Sequence, residues 1–226
     1  MNRSRNRLFS LIILVGTLAV VVPFSSVFAG GGLSPREVLV EGNTESAVKL
    51  YGELRKGEGN LFFSTYSIST ALAMTYGGAR GKTALEMREA LHFQIDDKLL
   101  HPSFRNLSQE ITEDAGKTGQ KLTIANGLCL TGGNVSNSYK LLLKDFYDAE
   151  FFSGGLGSIN NWVKEKTSGK IAKILDKLDV NSVCVILNAV YFKGKWENPF
   201  QKNATRDAPF KISQTMQSTV PSKRWA

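Results

Sequence analysis

The sequence predicts an α+β fold, a helical first half followed by long strands. Three observations carry it. Residues 183–192 form a near-continuous apolar run rich in β-branched and aromatic side chains, the pattern of one long central strand buried on both faces. Residues 122–130 form a second strand-like run that ends at Thr131-Gly-Gly133. Between residues 45 and 111, apolar residues recur at helical spacing instead. With 226 residues and 42% hydrophobic content, the chain can bury a full core.

Residues 1–29 read as a secretory signal peptide. Arg3, Arg5 and Arg7 supply a basic start, residues 8–22 an apolar stretch, and Val27 and Ala29 the small residues of a cleavage site. The competing reading is a membrane anchor, but spanning a bilayer takes about 20 apolar residues and this stretch is shorter. Residues 30–226 are then the mature domain, expected outside the cell and without a membrane partner. Three sequons at Asn106, Asn134 and Asn203 suit a secreted glycoprotein. The formal charge of +8 includes the three arginines; without them 25 basic residues face 20 acidic ones, a net +5. That balance is mild, and no nucleic-acid partner is expected. Cys129 and Cys184 both lie in apolar runs. They read as a disulfide or as two buried thiols packing as small hydrophobes.

Taken in order, residues 30–32 are a glycine-rich start. Ala47, Leu50, Tyr51 and Leu54 mark a helix over 45–55, closed by Gly57-Glu-Gly59. Residues 61–63 lead into Ser64. Ile68, Ala71, Leu72, Thr75 and Tyr76 then mark a helix apolar nearly all round, with Ser67 as its cap. Thr83-Ala-Leu-Glu86 has the form of a capping box opening the next helix. Residues 101–111 make an amphipathic helix, 139–147 a short helix and 149–152 a strand. Asn188 sits inside the 183–192 run, where a buried amide must find partners or cost about 1–3 kcal/mol.

Several chemistries are excluded. Gly77-Gly-Ala-Arg-Gly-Lys-Thr83 has one residue too few for a phosphate-binding loop and follows a helix rather than a strand. The only histidines, His92 and His101, accompany no nucleophile elbow, so no catalytic residue is assigned. Two histidines and two scattered cysteines give no metal spacing, and no cofactor is expected. Lys166, Lys170, Lys173 and Lys177 would form a basic stripe for a glycosaminoglycan on a continuous helix, but Gly169 interrupts it, so a solvated face is favoured.

The segment Asn188-Ala-Val-Tyr-Phe-Lys-Gly-Lys-Trp-Glu-Asn-Pro-Phe200 resembles the third strand of the large sheet in serpins. Ile159-Asn-Asn-Trp-Val-Lys-Glu-Lys-Thr-Ser-Gly-Lys-Ile171, with Asn160, Trp162, Gly169 and Lys170, resembles that family's helix F and following loop. Residues 60–74 resemble its helix B, and 122–130 its second strand. Thr65 departs from the family, which usually has proline there; the change costs about a few tenths to 1 kcal/mol through the unfolded chain.

The resemblance implies a serpin fold, in which a multi-helix half packs on a large central sheet. It places Ser64, Ser67 and Asn188 in the shutter beneath that sheet, and Trp196 with Lys193 at the breach where an inserting loop enters. It implies inhibition of serine proteases by a suicide mechanism, in which a cleaved loop inserts beside the third strand and releases stored strain. The resemblance runs from about residue 45 to 210 and covers little over half of the family's domain. The chain is therefore expected to be an N-terminal part of a secreted serpin, truncated before the reactive loop. The alternative is a non-inhibitory binding or regulatory protein on the same scaffold. Without its later strands the sheet would leave one long apolar edge open, able to take an extended peptide.

Overall fold

Caps, more than apolar spacing, set where the helices begin. In the computed structural model, which describes residues 32–57, 59–200, 202–212 and 215–222, helix α1 (Pro35–Leu54) is opened by Ser34. The Ser34 hydroxyl accepts from the Glu37 N–H at 3.3 Å, and the Glu37 carboxylate accepts from the Ser34 N–H at 2.7 Å. This reciprocal capping box starts the helix well before the 45–55 segment that periodicity marks. The signal-peptide features of residues 1–29, and Gly30 and Gly31, lie outside the described residues.

Helix α2 (Thr65–Gly78) begins after Ser64, whose hydroxyl accepts from the Ser67 N–H at 3.2 Å. Ser64, not Ser67, is thus the cap, which corrects the sequence expectation. Thr65 holds the first helical position, where proline would lose no helical hydrogen bond. Helix α3 (Gly81–Ala90) starts before the Thr83 box, at Arg80, which offers no side-chain cap. The Arg80 guanidinium instead donates to the carbonyls of Gly77 and Ala79, at 3.0 and 2.6 Å, at the end of α2. Asp96 caps α4 (Asp97–Lys117) by accepting from the Lys98 N–H at 2.8 Å. His92, between α3 and α4, has a left-handed φ of 54°. Its carbonyl lies so close to α1 that a Cβ on Gly42 would meet it at 2.3 Å.

Strand β1 (Lys121–Leu130) is followed by α5 (Asn137–Tyr147), β2 (Glu150–Ser153), α6 (Leu156–Lys166) and β3 (Cys184–Lys193). The sheet order is β2-β1-β3. β1 runs parallel to β2 and pairs antiparallel with all of β3, from Lys121↔Lys193 to Leu130↔Cys184. Among the described residues β1 is therefore central and β3 lies at the margin. Strand periodicity then divides β3 between two cores. Cys184 and Ile186 join Leu128 and Leu130 in a large core with α1, α2, α4 and α5, built on Met74, Leu100, Phe104 and Leu143. Val185, Leu187 and Ala189 join Cys129 in a second core with Ile159, Trp162 and Val163 of α6. Both faces of β3 are covered as expected, yet only Leu187 and Ala189 are fully buried, because the outer edge is bare.

The same alternation settles the cysteines. Cys129 stands opposite Val185 and Cys184 opposite Leu130, so the two thiols lie on opposite faces of the sheet. Both are free, and the disulfide alternative is set aside. Beyond β3, a hairpin of β4 (Arg206–Lys211) and β5 (Gln217–Ser222) forms a separate two-stranded sheet. Val220 and Pro221 lie in β5.

Candidate functional site

A chain of polar side chains runs under the sheet from α2 to α5. Ser67, on the first turn of α2, donates its hydroxyl to the Asn188 side-chain oxygen. The Asn188 carboxamide donates to the Asn126 oxygen at 2.7 Å, and Asn126 donates to the main-chain carbonyl of Tyr147 at 2.7 Å. Asn126 and Asn188 are cross-strand partners in the β1·β3 register. Each amide sits in an apolar strand, so the pairing satisfies groups that would otherwise be stranded. The Tyr147 hydroxyl in turn meets Nδ1 of His101 at 2.7 Å. His101 is buried, and burial holds its pKa below the ordinary value. Burial likewise drives the Tyr147 phenol well above its own.

This arrangement unites Ser67 and Asn188 but not Ser64. That side chain is exposed and acts as the helix cap, accepting from the Ser67 N–H. Asn126 was missed. It interrupts an apolar strand as Asn188 does, and that signal was available.

The opposite face is crossed by α6. Asn160 ties down the segment after the helix: its Oδ1 accepts from the N–H groups of Ile174 and Leu175 at 2.9 and 3.0 Å, and its amide donates to the Leu175 carbonyl at 2.9 Å. Trp162 lies against Gly127 of β1, where an added Cβ would come within 2.9 Å of the ring, and stacks on Phe152 of β2. Its indole N–H donates to Glu150 at 2.7 Å, and Lys166 reaches the same carboxylate at 2.6 Å. The Lys166 hydrogen bond, more than that of Trp162, holds the Glu150 pKa below the usual carboxylate range. Gly169, at φ 77°, ends the helical path, and Lys170 beyond it is exposed. The basic stripe is therefore broken, as expected; Lys166 points to Glu150 and Lys173 pairs with Asp176 at 2.5 Å.

At the end of β3, Lys193 stands opposite Lys121 and is exposed. Trp196 follows with 67% of its surface free, its ring edge-on to Phe200. Asn106 on α4, Asn134 in the loop before α5 and Asn203 in the 3-10 turn Lys202–Ala204 are all exposed. Among the described residues no cluster of His, Cys, Asp and Glu could hold a metal, and no helix is long and apolar enough to cross a membrane.

Fold and site together define an α+β protein organised around a sheet whose marginal strand has a free outer edge among the described residues, buttressed by a polar relay on one face and a helix on the other. The chain belongs to the serpin family: the model of that family, Serpin (serine protease inhibitor), matches residues 41–222. It is a family of inhibitors, not enzymes. Among curated relatives, the chain is 38% identical to bovine (Bos taurus) leukocyte elastase inhibitor over 202 residues, 81% of this chain and 51% of that protein. It is 37% identical to human (Homo sapiens) Serpin B9 over 174 residues, 71% and 45% of the two chains. Its fold matches human glycosylated kallistatin with a TM-score of 0.75 at 24% identity, covering 84% of this chain and 54% of that one. Ovalbumin from emu (Dromaius novaehollandiae) matches at 0.73 and 25% identity, covering 82% and 54%. Cleaved kallistatin complexed with heparin matches at 0.74 and 25%, covering 80% and 57%. The chain spans about half the length of the curated relatives it matches. The family match extends the resemblance read from about residue 45 to 210 outward at both ends, to 41–222.

Proposed function

We propose that this chain is part of a secreted serine protease inhibitor, and that it supplies the sheet that takes up the cleaved reactive loop. The observation that carries this reading is the free outer edge of β3, ten residues long and without a strand partner among the described residues. A row of unpaired backbone donors and acceptors is the template an extended segment needs. Ser67, Asn188 and Asn126 form the shutter in this reading. They hold β3 to β1 and α2 through hydrogen bonds that can re-form as a strand enters. Trp196 and Lys193 mark the entrance. The target class follows the relatives named as leukocyte elastase inhibitors: an elastase-like serine protease.

Residues 1–29 direct secretion in this proposal, and Asn134 and Asn203, exposed and outside the α-helices, are the better placed glycan acceptors. A glycosaminoglycan is the weaker partner, supported by the exposed lysines after α6 and weakened by their broken alignment.

The test is a form of the protein that carries a reactive loop, mixed with neutrophil elastase and run on a denaturing gel. An adduct stable in SDS supports inhibition. Simple cleavage of the loop with no adduct, from a folded protein, overturns it and leaves a non-inhibitory scaffold that binds extended peptides at the same edge.

A further inference from the structure

The turn between α3 and α4 packs on α1 through three titratable side chains. His92 lies at their centre, with a left-handed φ of 54° and 16% of its side chain exposed. Its Nδ1 meets the Glu45 carboxylate at 3.2 Å, and its Nε2 meets Nζ of Lys49 at 2.9 Å. Lys49 also reaches the other oxygen of Glu45 at 3.2 Å. Between them on α1, the Ser46 hydroxyl donates to the Leu91 carbonyl at 2.8 Å and ties the turn to the helix.

The partners fix the tautomer. A carboxylate only accepts and a lysine ammonium only donates. Nδ1 therefore carries the ring proton, and Nε2 presents its lone pair to Lys49. A nucleophile held by a base, with the base oriented by a third group, is the arrangement that activates nucleophiles in covalent chemistry. Lys56 and Lys82 are also exposed and paired with glutamates, at 2.6 and 3.3 Å. Among the described residues, Lys49 alone of the lysines has a histidine nitrogen at hydrogen-bond distance.

His92 is shared with an open groove of about 390 Å³, lined also by Leu85, Arg88 and Glu89 of α3 and by Phe93 and Gln94. Leu85 is 68% exposed and Phe93 is buried, so the groove offers apolar wall beside the imidazole. The Arg88 guanidinium is committed to Asp97 and to the Ile95 carbonyl. These walls suit an apolar chain rather than an anion.

We infer that Lys49 is an acylation site for an apolar-chain thioester, with His92 as its base and Glu45 as the residue that positions the base. The acyl chain lies along Leu85 and Phe93. As Nζ attacks the thioester carbonyl, one ammonium proton passes to Nε2 of His92. The N–C bond forms, the C–S bond breaks, and the thiolate takes the proton from Nε2 and leaves as a thiol. A second proton passes from the nitrogen to water. The products are an amide, a thiol and one proton, with nothing oxidised or reduced. The amide is stable, so each chain reacts once and the site is an acceptor, not an enzyme centre. None of its residues lies on the sheet, so it stands apart from the inhibitory reading.

Octanoyl and acetyl thioesters of N-acetylcysteamine, applied separately to the 226-residue chain, test this. Peptide mapping by mass spectrometry reads amide formation lysine by lysine and tolerates self-association; hydroxylamine first clears acyl groups from Cys129 and Cys184. With the octanoyl donor, Lys49 should react at least about tenfold faster than Lys56 and Lys82, against the 10²–10⁴-fold typical of a positioned general base. His92→Asn, at a positive φ that asparagine accepts, should bring Lys49 down to the rate of Lys82. Glu45→Gln should lower the saturating rate at Lys49 and leave the half-saturating donor concentration unchanged, a split that loosened packing would not give. It carries the test if His92→Asn does not fold. Leu85→Ala, at an exposed position, should erase the preference for octanoyl over acetyl at Lys49. The inference fails if Lys49 reacts no faster than Lys82, if folded His92→Asn keeps the excess, or if Glu45→Gln reacts as the parent chain does. It fails equally if acetyl transfers as fast as octanoyl, or if Leu85→Ala leaves the octanoyl preference intact.

Discussion

Asn126 and Asn188 face each other across the β1·β3 ladder and are joined side chain to side chain at 2.7 Å, each also bonded to a helix-bearing layer behind the sheet. The pair couples the marginal strand to its neighbour at mid-length. Asn188→Ala should leave both the Ser67 hydroxyl and the Asn126 oxygen without partners, a loss of about 1–3 kcal/mol. Urea unfolding of Asn188→Ala, Asn126→Ala and the double variant checks it. The double variant should cost clearly less than the two single losses combined; additivity within about 0.5 kcal/mol would mean the pair is not coupled.

Gly127 is the place where α6 comes closest to the sheet. A methyl group there would sit 2.9 and 3.2 Å from the Trp162 ring. The ring is fixed by stacking on Phe152 and by its bond to Glu150, so it has little room to yield. Gly127→Ala should destabilise by about 1–3 kcal/mol through overpacking. Adding Trp162→Phe to that variant should recover part of the loss, and a neutral Gly127→Ala would show that α6 rides looser than the geometry implies.

Two groups packed at the sheet contribute to the acid side of the stability curve, beside the exposed carboxylates of Glu37 and Glu110, whose pKa values are also lowered. His101 has a depressed folded pKa, so the protein holds its full stability above the ordinary value of 6.5 and loses it as pH falls from there toward the folded pKa. Glu150, also depressed, contributes stability above its ordinary 4.5 that is lost on further acidification through its folded pKa. Stability should thus fall in two stages. His101→Phe should lower the plateau, by unpairing the Tyr147 hydroxyl, yet flatten the slope that begins near 6.5. An unchanged slope in chemical denaturation from pH 8 to 5 would assign it to other groups.

Trp196 contributes little to the fold. It is 67% exposed, and its ring contact is edge-on to Phe200. Trp196→Ala should change stability by no more than about 0.5 kcal/mol, while slowing loop uptake in a loop-bearing form. A loss of about 3–5 kcal/mol, the cost of a core tryptophan, with unchanged inhibition in the surviving molecules, would remove Trp196 from the entrance.

The outer edge of β3 should also govern association. It is long, flanked by partly exposed apolar side chains, and carries charge only at its end, where Lys193 stands. Such edges pair with other strands. Sedimentation velocity of the 226-residue chain should show oligomers that shift toward monomer when an extended peptide the length of β3 is added. A concentration-independent monomer that ignores the peptide would show the edge to be closed.

The sequence by itself determined the family and the types of the elements up to β3. The apolar run of β3, the run of β1 and the all-round apolar α2 are strong local patterns, and they survive folding because burial rewards the same periodicity that produces them. It also marked Asn188 as a residue needing partners. Tertiary structure alone decided who those partners are. Register set Asn126 opposite Asn188 and put Cys129 and Cys184 on opposite faces; a one-residue slip would reverse both outcomes. Helix starts went to the caps at Ser34, Ser64 and Asp96, because a cap depends on which hydroxyl or carboxylate the backbone turns toward the first free N–H groups.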